Sequence, residues 1–248
     1  MKTIPRNAFV LDVGSGDHPH HRANVLCDRY LDTDQLPKRH GAVVVDRPFV
    51  IADATALPFA SKTFDYVVCS CVIEQVEDAG RALEELSRVG QAGNLTTYTE
   101  VFEFLSPFPA NRWVGVLQRG ALVLKQRSQS HELGREQLYG TLFWHLYQDR
   151  HFKRFMLEHA RLFWVEIEWK DKINYRLVPE NHELYNYNRT SDIADLLRHT
   201  PARGWIGKLK RLLRIYLADT AWLSSVVFRI NRFLGQLARL GLDVVRHR

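Results

Sequence analysis

The sequence predicts an α/β fold built on a mostly parallel sheet, and three observations carry that prediction. The apolar run Val10-Leu11-Asp12-Val13 breaks at once into Gly14-Ser15-Gly16. This pattern reads as a buried strand ending in a turn where the backbone must come close to something. Two further apolar runs end in Asp28 and Asp53, and a fourth, Phe64-Asp65-Tyr66-Val67-Val68-Cys69-Ser70, precedes a stretch of helical period. Strand ends that carry Gly, Asp and Asp in that order outline a nucleoside pocket at the carboxyl edge of a parallel sheet.

The first strand spans Phe9 to Val13. Asp17-His18-Pro19-His20-His21-Arg22 then leaves no room for a helix before Val25-Leu26-Cys27-Asp28 begins. The crossover is therefore shorter than the ~12 residues a parallel connection usually needs. Residues 29–47 are polar and poorly periodic, a loop with a short helix at Asp34 to His40. Phe49-Val50-Ile51-Ala52 is the third strand, it leads into Asp53-Ala54-Thr55-Ala56-Leu57-Pro58-Phe59, and Lys62-Thr63 turns into the fourth. From Glu77 to Val89 the apolar positions Ala79, Ala82, Leu83, Leu86 and Val89 recur at helical spacing. Gly90 and Gly93 are expected to close that helix, and Leu95 to Tyr98 is the fifth strand.

In the second half, Trp113 to Leu117 and Ala121 to Leu124 form a hairpin about Gln118-Arg119-Gly120. Helices are expected over Arg135 to Gln148 and His151 to His159. Phe163 to Trp169 and Ile173 to Val178 alternate around Lys170-Asp171-Lys172, a second hairpin expected to supply the sheet's last two strands. After Pro179 a polar linker runs to about Pro201, followed by helices at Trp205 to Tyr216 and Thr220 to Leu234 and a short terminal one. The expected organisation is one α/β domain over 1–180 with a substrate-side insertion over about 101–160, a linker over 181–200, and a basic amphipathic helical tail over 201–248.

Hydrophobic content of 46% and charged content of 25% describe an ordinary globule and exclude a disordered or fibrous chain. Cys27, Cys69 and Cys71 sit in apolar runs without CxxC spacing, which predicts buried reduced thiols in a cytoplasmic setting. Lys2 and Arg6 lead directly into the first strand, so no secretory signal is expected, and no apolar run approaches the ~20 residues of a bilayer span. The three histidines of His18-Pro19-His20-His21 invite a metal reading, yet consecutive imidazoles seldom aim at one ion; no metal is expected.

Charge is unevenly placed. Residues 201–248 hold ten Lys or Arg against Asp219 and Asp243, an excess of eight, on a chain of formal net charge +6. The first 200 residues are thus slightly acidic, at −2. Such a tail packs on the body, self-associates, or lies on an anionic membrane surface as a peripheral attachment. Its aromatics fall on apolar faces, which argues against specific nucleic-acid binding.

The chain resembles a class I S-adenosylmethionine-dependent methyltransferase of the small-molecule, type 11-like kind. The resemblance rests on Val10-Leu11-Asp12-Val13-Gly14-Ser15-Gly16, Asp53-Ala54-Thr55-Ala56-Leu57-Pro58-Phe59, Phe64-Asp65-Tyr66-Val67-Val68, Ile73-Glu74-Gln75-Val76-Glu77-Asp78 and Leu83-Glu84-Glu85-Leu86-Ser87-Arg88-Val89, in the family's order and spacing. It implies a Rossmann-like, seven-stranded, mostly parallel sheet with an antiparallel C-terminal hairpin. It also implies S-adenosylmethionine as cofactor and transfer of its methyl group to a small-molecule or glycan-like acceptor.

Carried residue by residue, the resemblance implies that the Gly14-Ser15-Gly16 amides face the cofactor's methionine end, while Asp12 either contacts the cofactor or caps and orients the turn. It sets Asp28 on the ribose and Asp53 with Ala54 on the adenine, while Ser70 and Cys71 line the reaction side. His145 and Glu100 are the candidate general bases, because both follow the fifth strand. Gln75 stands where the family often has His, and Thr96-Thr97-Tyr98 stands where many relatives show Glu-Thr-Pro or Glu-Val-Pro. These departures keep a second reading open, a catalytically impaired cofactor-binding or interaction module that acts through its tail.

Overall fold

Short apolar strands stand side by side in the computed structural model, which describes residues 4–31, 42–127, 140–143 and 145–185. Strands β1 (Val10–Val13), β2 (Val25–Asp28), β3 (Phe49–Ile51), β4 (Phe64–Ser70) and β5 (Gly90–Tyr98) pair in parallel in the order β3-β2-β1-β4-β5. β1 is buried at every position, as a central parallel strand must be when both sheet faces are covered. Chain order runs outward from β1 to β3, then restarts at β4 on its other side. The carboxyl ends of β1 and β4 therefore flank a topological switch point, where doubly wound sheets open a crevice.

The β1–β2 connection has no helix, as its sequence requires. Side chains hold it in place of helix packing. Asn24 accepts the Val10 N–H on Oδ1 at 2.9 Å and donates its own N–H to the Val10 carbonyl at 2.8 Å. The Arg22 guanidinium reaches the carbonyls of Pro5 and Arg6, both at 2.8 Å.

Helix α1 (Ala79–Val89) begins at Asp78, whose carboxylate accepts the Arg81 N–H at 2.8 Å. Its Ala79, Ala82, Leu83, Leu86 and Val89 face bury fully against the sheet. Lys62, at φ 59°, donates from Nζ to the carbonyls of Ser87, Gly90 and Asp171, each at 2.9 Å, which satisfies the end of α1. Gly90 caps the helix, but Gly93 does not, because β5 is already under way there. A Cβ at Gly93 would lie 2.4 Å from the Val67 carbonyl and 2.6 Å from the Trp169 ring, so the glycine is a strand position that seats Trp169.

Beyond β5 the chain forms α2 (Glu100–Leu105), the hairpin β6 (Trp113–Gln118) and β7 (Ala121–Gln126), then α3 (Arg150–Glu158) and α4 (Ala160–Phe163). Residues 140–143 and 145–146 are also helical, within the predicted Arg135 to Gln148 helix; 135–139 lie outside the described residues.

The second predicted hairpin separates. β8 (Trp164–Lys170) pairs antiparallel with β5 and closes the main sheet, whereas β9 (Tyr175–Val178) pairs parallel with β7 in a second sheet of order β6-β7-β9. Among the described residues the main sheet has six strands, not seven. The reason lies at the turn: Asp171 adopts φ 63°, and the chain leaves over α1. There the Ile173 N–H meets Ser87 Oγ at 3.1 Å and the Tyr175 hydroxyl meets the Gly80 carbonyl at 3.4 Å.

Two residues inside the expected 181–200 linker pack on the second sheet. Leu184 and Tyr185 are buried with Val114, Val116, Val123 and Val178 in the core of the second sheet. The Asp34 to His40 helix, the rest of the linker and the 201–248 tail lie outside the described residues.

Candidate active site

The expected cofactor residues gather at the carboxyl ends of β3, β2, β1 and β4. In register, Val13 stands beside Cys27 on one side and Cys69 on the other, and Asp28 stands beside Ile51. Asp12, Gly14, Ser15, Gly16, Asp28, Asp53, Ala54, Ser70 and Cys71 therefore occupy neighbouring strand ends along one edge.

Gly14 takes φ +72° and Gly16 φ +48°, a region that favours glycine. A Cβ on Gly14 would sit 2.0 Å from Val72 Cγ2, so the loop after β4 presses directly on this turn. The turn's amides were expected to be free for a ligand. Instead, Gly14 and Ser15 donate to the Cys27 carbonyl at 2.7 and 3.3 Å, and Gly16 donates to Asp28 Oδ2 at 2.9 Å. With no helix in the crossover, β2 returns immediately and engages them. What the turn offers is close backbone approach. The Ser15 hydroxyl is buried there without a hydrogen-bond partner.

Asp12 is 4% exposed, and its Oδ2 accepts the His20 N–H at 2.6 Å. Burial pushes its pKa up to about 7, with Asp28 adding to the rise, against the opposing pull of the His20 N–H and the Arg47 charge. Asp28 accepts the Gly16 N–H on Oδ2 and the Tyr30 N–H on Oδ1 at 3.1 Å, which fixes the carboxylate plane. Partial burial raises Asp53, but two hydrogen bonds from Thr55 and the Arg29 charge, 3.4 Å away, outweigh it and hold its pKa below the ordinary carboxylate value.

The Asp53 loop is anchored from α1. Glu85 accepts the Leu57 N–H at 2.8 Å, and Arg88 grips both Glu85 oxygens at 2.7 Å while donating to the carbonyls of Leu57 and Phe59.

The histidine loop serves structure. His20 Nδ1 accepts the Arg22 N–H at 3.2 Å, and burial, with His21, Arg22 and Arg47 nearby, lowers its pKa to about 4.

On the far side of the turn, Cys71 sits at φ 57°, half-buried, with its N–H on the Thr96 carbonyl at 2.8 Å. Burial pushes its thiol up to about 12, and the neighbouring Glu74 adds to the rise, so it is no nucleophile at neutral pH. Glu74, which the candidate set leaves out, stands close to Cys71. Glu74 is fully buried, accepts the Thr97 hydroxyl at 2.9 Å, and leaves Oε1 without a partner. Burial pushes it up to about 8, with Glu103 adding to the rise. Its backbone carbonyl takes the N–H groups of Arg112 and Trp113 at 2.6 and 3.1 Å, which ties the second sheet to the loop after β4. An acid inside an otherwise apolar motif (Ile73-Glu74-Gln75-Val76) was the available signal.

Both candidate bases follow β5. Glu100 is ion-paired with Lys125 of β7. His145 lies exposed in the helical residues 145–146, where its backbone carbonyl takes the Gln148 N–H at 3.1 Å.

Residues 11–96 match a family model described as a methyltransferase domain, and the match runs from β1 through the β5 end just described. Over that stretch the chain is similar to methyltransferase domains.

The chain is also similar to a demethylmenaquinone methyltransferase of Thermobifida fusca, 40% identical over 78 residues, which are 32% of this chain and 33% of that protein. A demethylmenaquinone methyltransferase of Paenarthrobacter aurescens is 30% identical over 129 residues, 49% of this chain and 50% of that protein. The chain thus spans a third to a half of the length of these relatives. Among solved structures, a methyltransferase from Methanosarcina mazei is 16% identical with a TM-score of 0.31, covering 40% of this chain and 57% of its own. One from Mesorhizobium loti is 15% identical with a TM-score of 0.29, covering 49% and 59%. The fold assignment here rests on the strand order itself.

Proposed function

We propose that the protein transfers a methyl group from S-adenosylmethionine to a small-molecule acceptor held beside Gly14, Ser70 and Cys71. The observation that carries this reading is the convergence of the glycine turn with Asp12, Asp28 and Asp53 on adjacent strand ends at the switch point. The unpartnered Ser15 hydroxyl and the open space beside Gly16, where a Cβ would meet nothing within 4 Å, fit a ligand seated against this turn. The cofactor supplies an already activated methyl group, so the protein's task is alignment and exclusion of water.

Asp28 keeps lone pairs beyond its two backbone N–H partners, and these suit the paired ribose hydroxyls. Asp53 stays ionised and accepts the adenine amino group, with Ala54 presenting its backbone amide to the ring. Asp12 offers a carboxylate to the cationic methionine end. The relatives named for demethylmenaquinone favour a small cyclic acceptor over a glycan.

Asp12 gives this reading a pH signature. Only its ionised form attracts a cation, and its folded pKa lies at about 7. S-adenosylhomocysteine, which retains the ammonium group, should bind about tenfold more tightly at pH 8 than at pH 6. Asp12→Asn keeps an acceptor for the His20 N–H and should flatten that dependence. A flat profile in the unmodified protein removes Asp12 from the cofactor site.

The direct test is calorimetry with S-adenosylhomocysteine, followed by detection of methylated product from S-adenosylmethionine across a panel of acceptors. Micromolar binding that Asp28→Asn weakens at least about tenfold is expected, at about 1.4 kcal/mol per decade. Absence of binding to the full chain overturns the proposal. Binding without product from any acceptor would favour the cofactor-holding module instead.

A further inference from the structure

We infer that Glu74 is a positioning residue for the cofactor: tied to both β5 and the second sheet, it holds residues 71–76 as a strap that seats Val72 on the glycine turn. The inference deepens the methyl-transfer reading and rests on it.

The strap is short and tied along its length. It leaves β4 at Cys71, whose N–H donates to the Thr96 carbonyl at 2.8 Å, and it turns at once, the Gln75 N–H meeting the Val72 carbonyl at 2.9 Å. Ile73 is fully buried in the main core. Beside it, Glu74 reaches in two directions. Its side chain accepts the Thr97 hydroxyl of β5 at 2.9 Å, and its backbone carbonyl takes the Arg112 and Trp113 N–H groups where β6 begins. The Trp113 indole then donates from Nε1 to the Val76 carbonyl at 3.0 Å and closes the strap.

At the other end Val72 packs so tightly on the turn that a Cβ at Gly14 would lie 2.0 Å from its Cγ2. The turn passes this constraint to β2, because Gly14 and Ser15 donate to the Cys27 carbonyl and Gly16 donates to Asp28 Oδ2. The carboxylate proposed for the ribose thus stands at the end of a continuous run of contacts from the second sheet.

The anchor is an acid, and that separates positioning from plain packing. Glu74 is fully buried, and its Oε1 has no hydrogen-bond partner. From α2 it is faced by Glu103, which is itself held by Arg127 at 3.0 Å and by Asn111 at 2.6 Å. The Cys69 and Cys71 thiols and the Tyr98 phenol face it from β4, the strap and β5, and the Arg112 residue is exposed. Burial, with Glu103 adding to it, keeps the carboxyl protonated up to about pH 8. Once ionised, the group is drawn to water, and that movement pulls the strap from Thr97 and Val72 from the turn.

The test titrates S-adenosylhomocysteine into the full native chain and into Glu74→Gln from pH 6.5 to 9, with circular dichroism confirming that both stay folded. Near-equal affinities are expected at pH 6.5, and an advantage of about tenfold for the glutamine variant at pH 9. Asp12 and the ligand's ammonium titrate in both proteins and cancel in the ratio. A second arm needs no titration. Trp113→Phe removes the outer tie and should weaken binding at least about threefold at pH 7. Leu117→Ala, at an exposed position of the same strand, should not. A ratio that stays constant with pH, or full affinity in Trp113→Phe, overturns the inference. Absence of binding by the native protein at every pH overturns the methyl-transfer reading along with it, so the two failures are distinguishable.

Discussion

Gly14→Ala should all but abolish cofactor binding, and Val72→Ala in the same chain should restore part of it. The added methyl would stand 2.0 Å from Val72 Cγ2 on a backbone at φ +72°. Left-handed backbone alone costs an alanine roughly 1–2 kcal/mol. The clash adds a shift of the turn, of the loop after β4, or of both, and overpacking of this kind typically costs about 1–3 kcal/mol more. Either shift disturbs the alignment on which methyl transfer depends. S-adenosylhomocysteine affinity should therefore fall at least about 100-fold, while the melting transition drops but remains cooperative. Val72→Ala removes the clashing Cγ2 but not the backbone strain, which makes the expected rescue partial. Full activity in Gly14→Ala would show that Val72 does not press on the turn.

Glu74→Gln should stabilise the protein in alkali. An acid whose pKa is raised on folding supports the fold at low pH and loses that contribution as pH rises through the folded value. For Glu74 the window runs from the ordinary 4.5 to about 8. Across it the native protein should lose on the order of 3–5 kcal/mol relative to the glutamine variant. Asp12 contributes a similar slope between 3.8 and about 7, but it is present in both proteins and cancels in the difference. Denaturant titrations at pH 5, 7 and 9 should show near parity at pH 5 and a widening advantage for Glu74→Gln above it. Parallel stability curves would mean that the carboxyl is not buried as a neutral acid. The glutamine keeps an acceptor for Thr97, so loss of that hydrogen bond does not confuse the comparison.

Much of the sheet's carboxyl edge is legible in the sequence. Apolar runs bounded by Gly14, Asp28, Asp53 and Ser70 specify both where strands stop and which chemistry stands at each stop. The helix-free crossover was legible too, because eight residues separating Gly16 from Val25 cannot hold a helix and two turns. The splitting of the Phe163 to Val178 segment was not. Alternation marks both halves as strands, but it is blind to partners; β9 leaves β8 because Asp171 turns the chain onto α1 and β7 offers an unpaired edge. Gly93 was misread for a similar reason. A glycine near a helix end resembles a cap, and only the Trp169 ring against it reveals a packing position.

The sequence by itself determined the order of strand ends along the sheet, and with it the neighbouring placement of glycine and carboxylates, because strand polarity and crossover handedness leave few alternatives. Tertiary structure alone decided the protonation and occupancy of those groups. Asp12 and Glu74 are ordinary acids in the sequence, and their raised pKa values arise from desolvation by segments far away in the chain. Likewise the glycine amides became engaged through contacts whose partners lie 12 or 13 residues away, a distance over which local pattern carries no information.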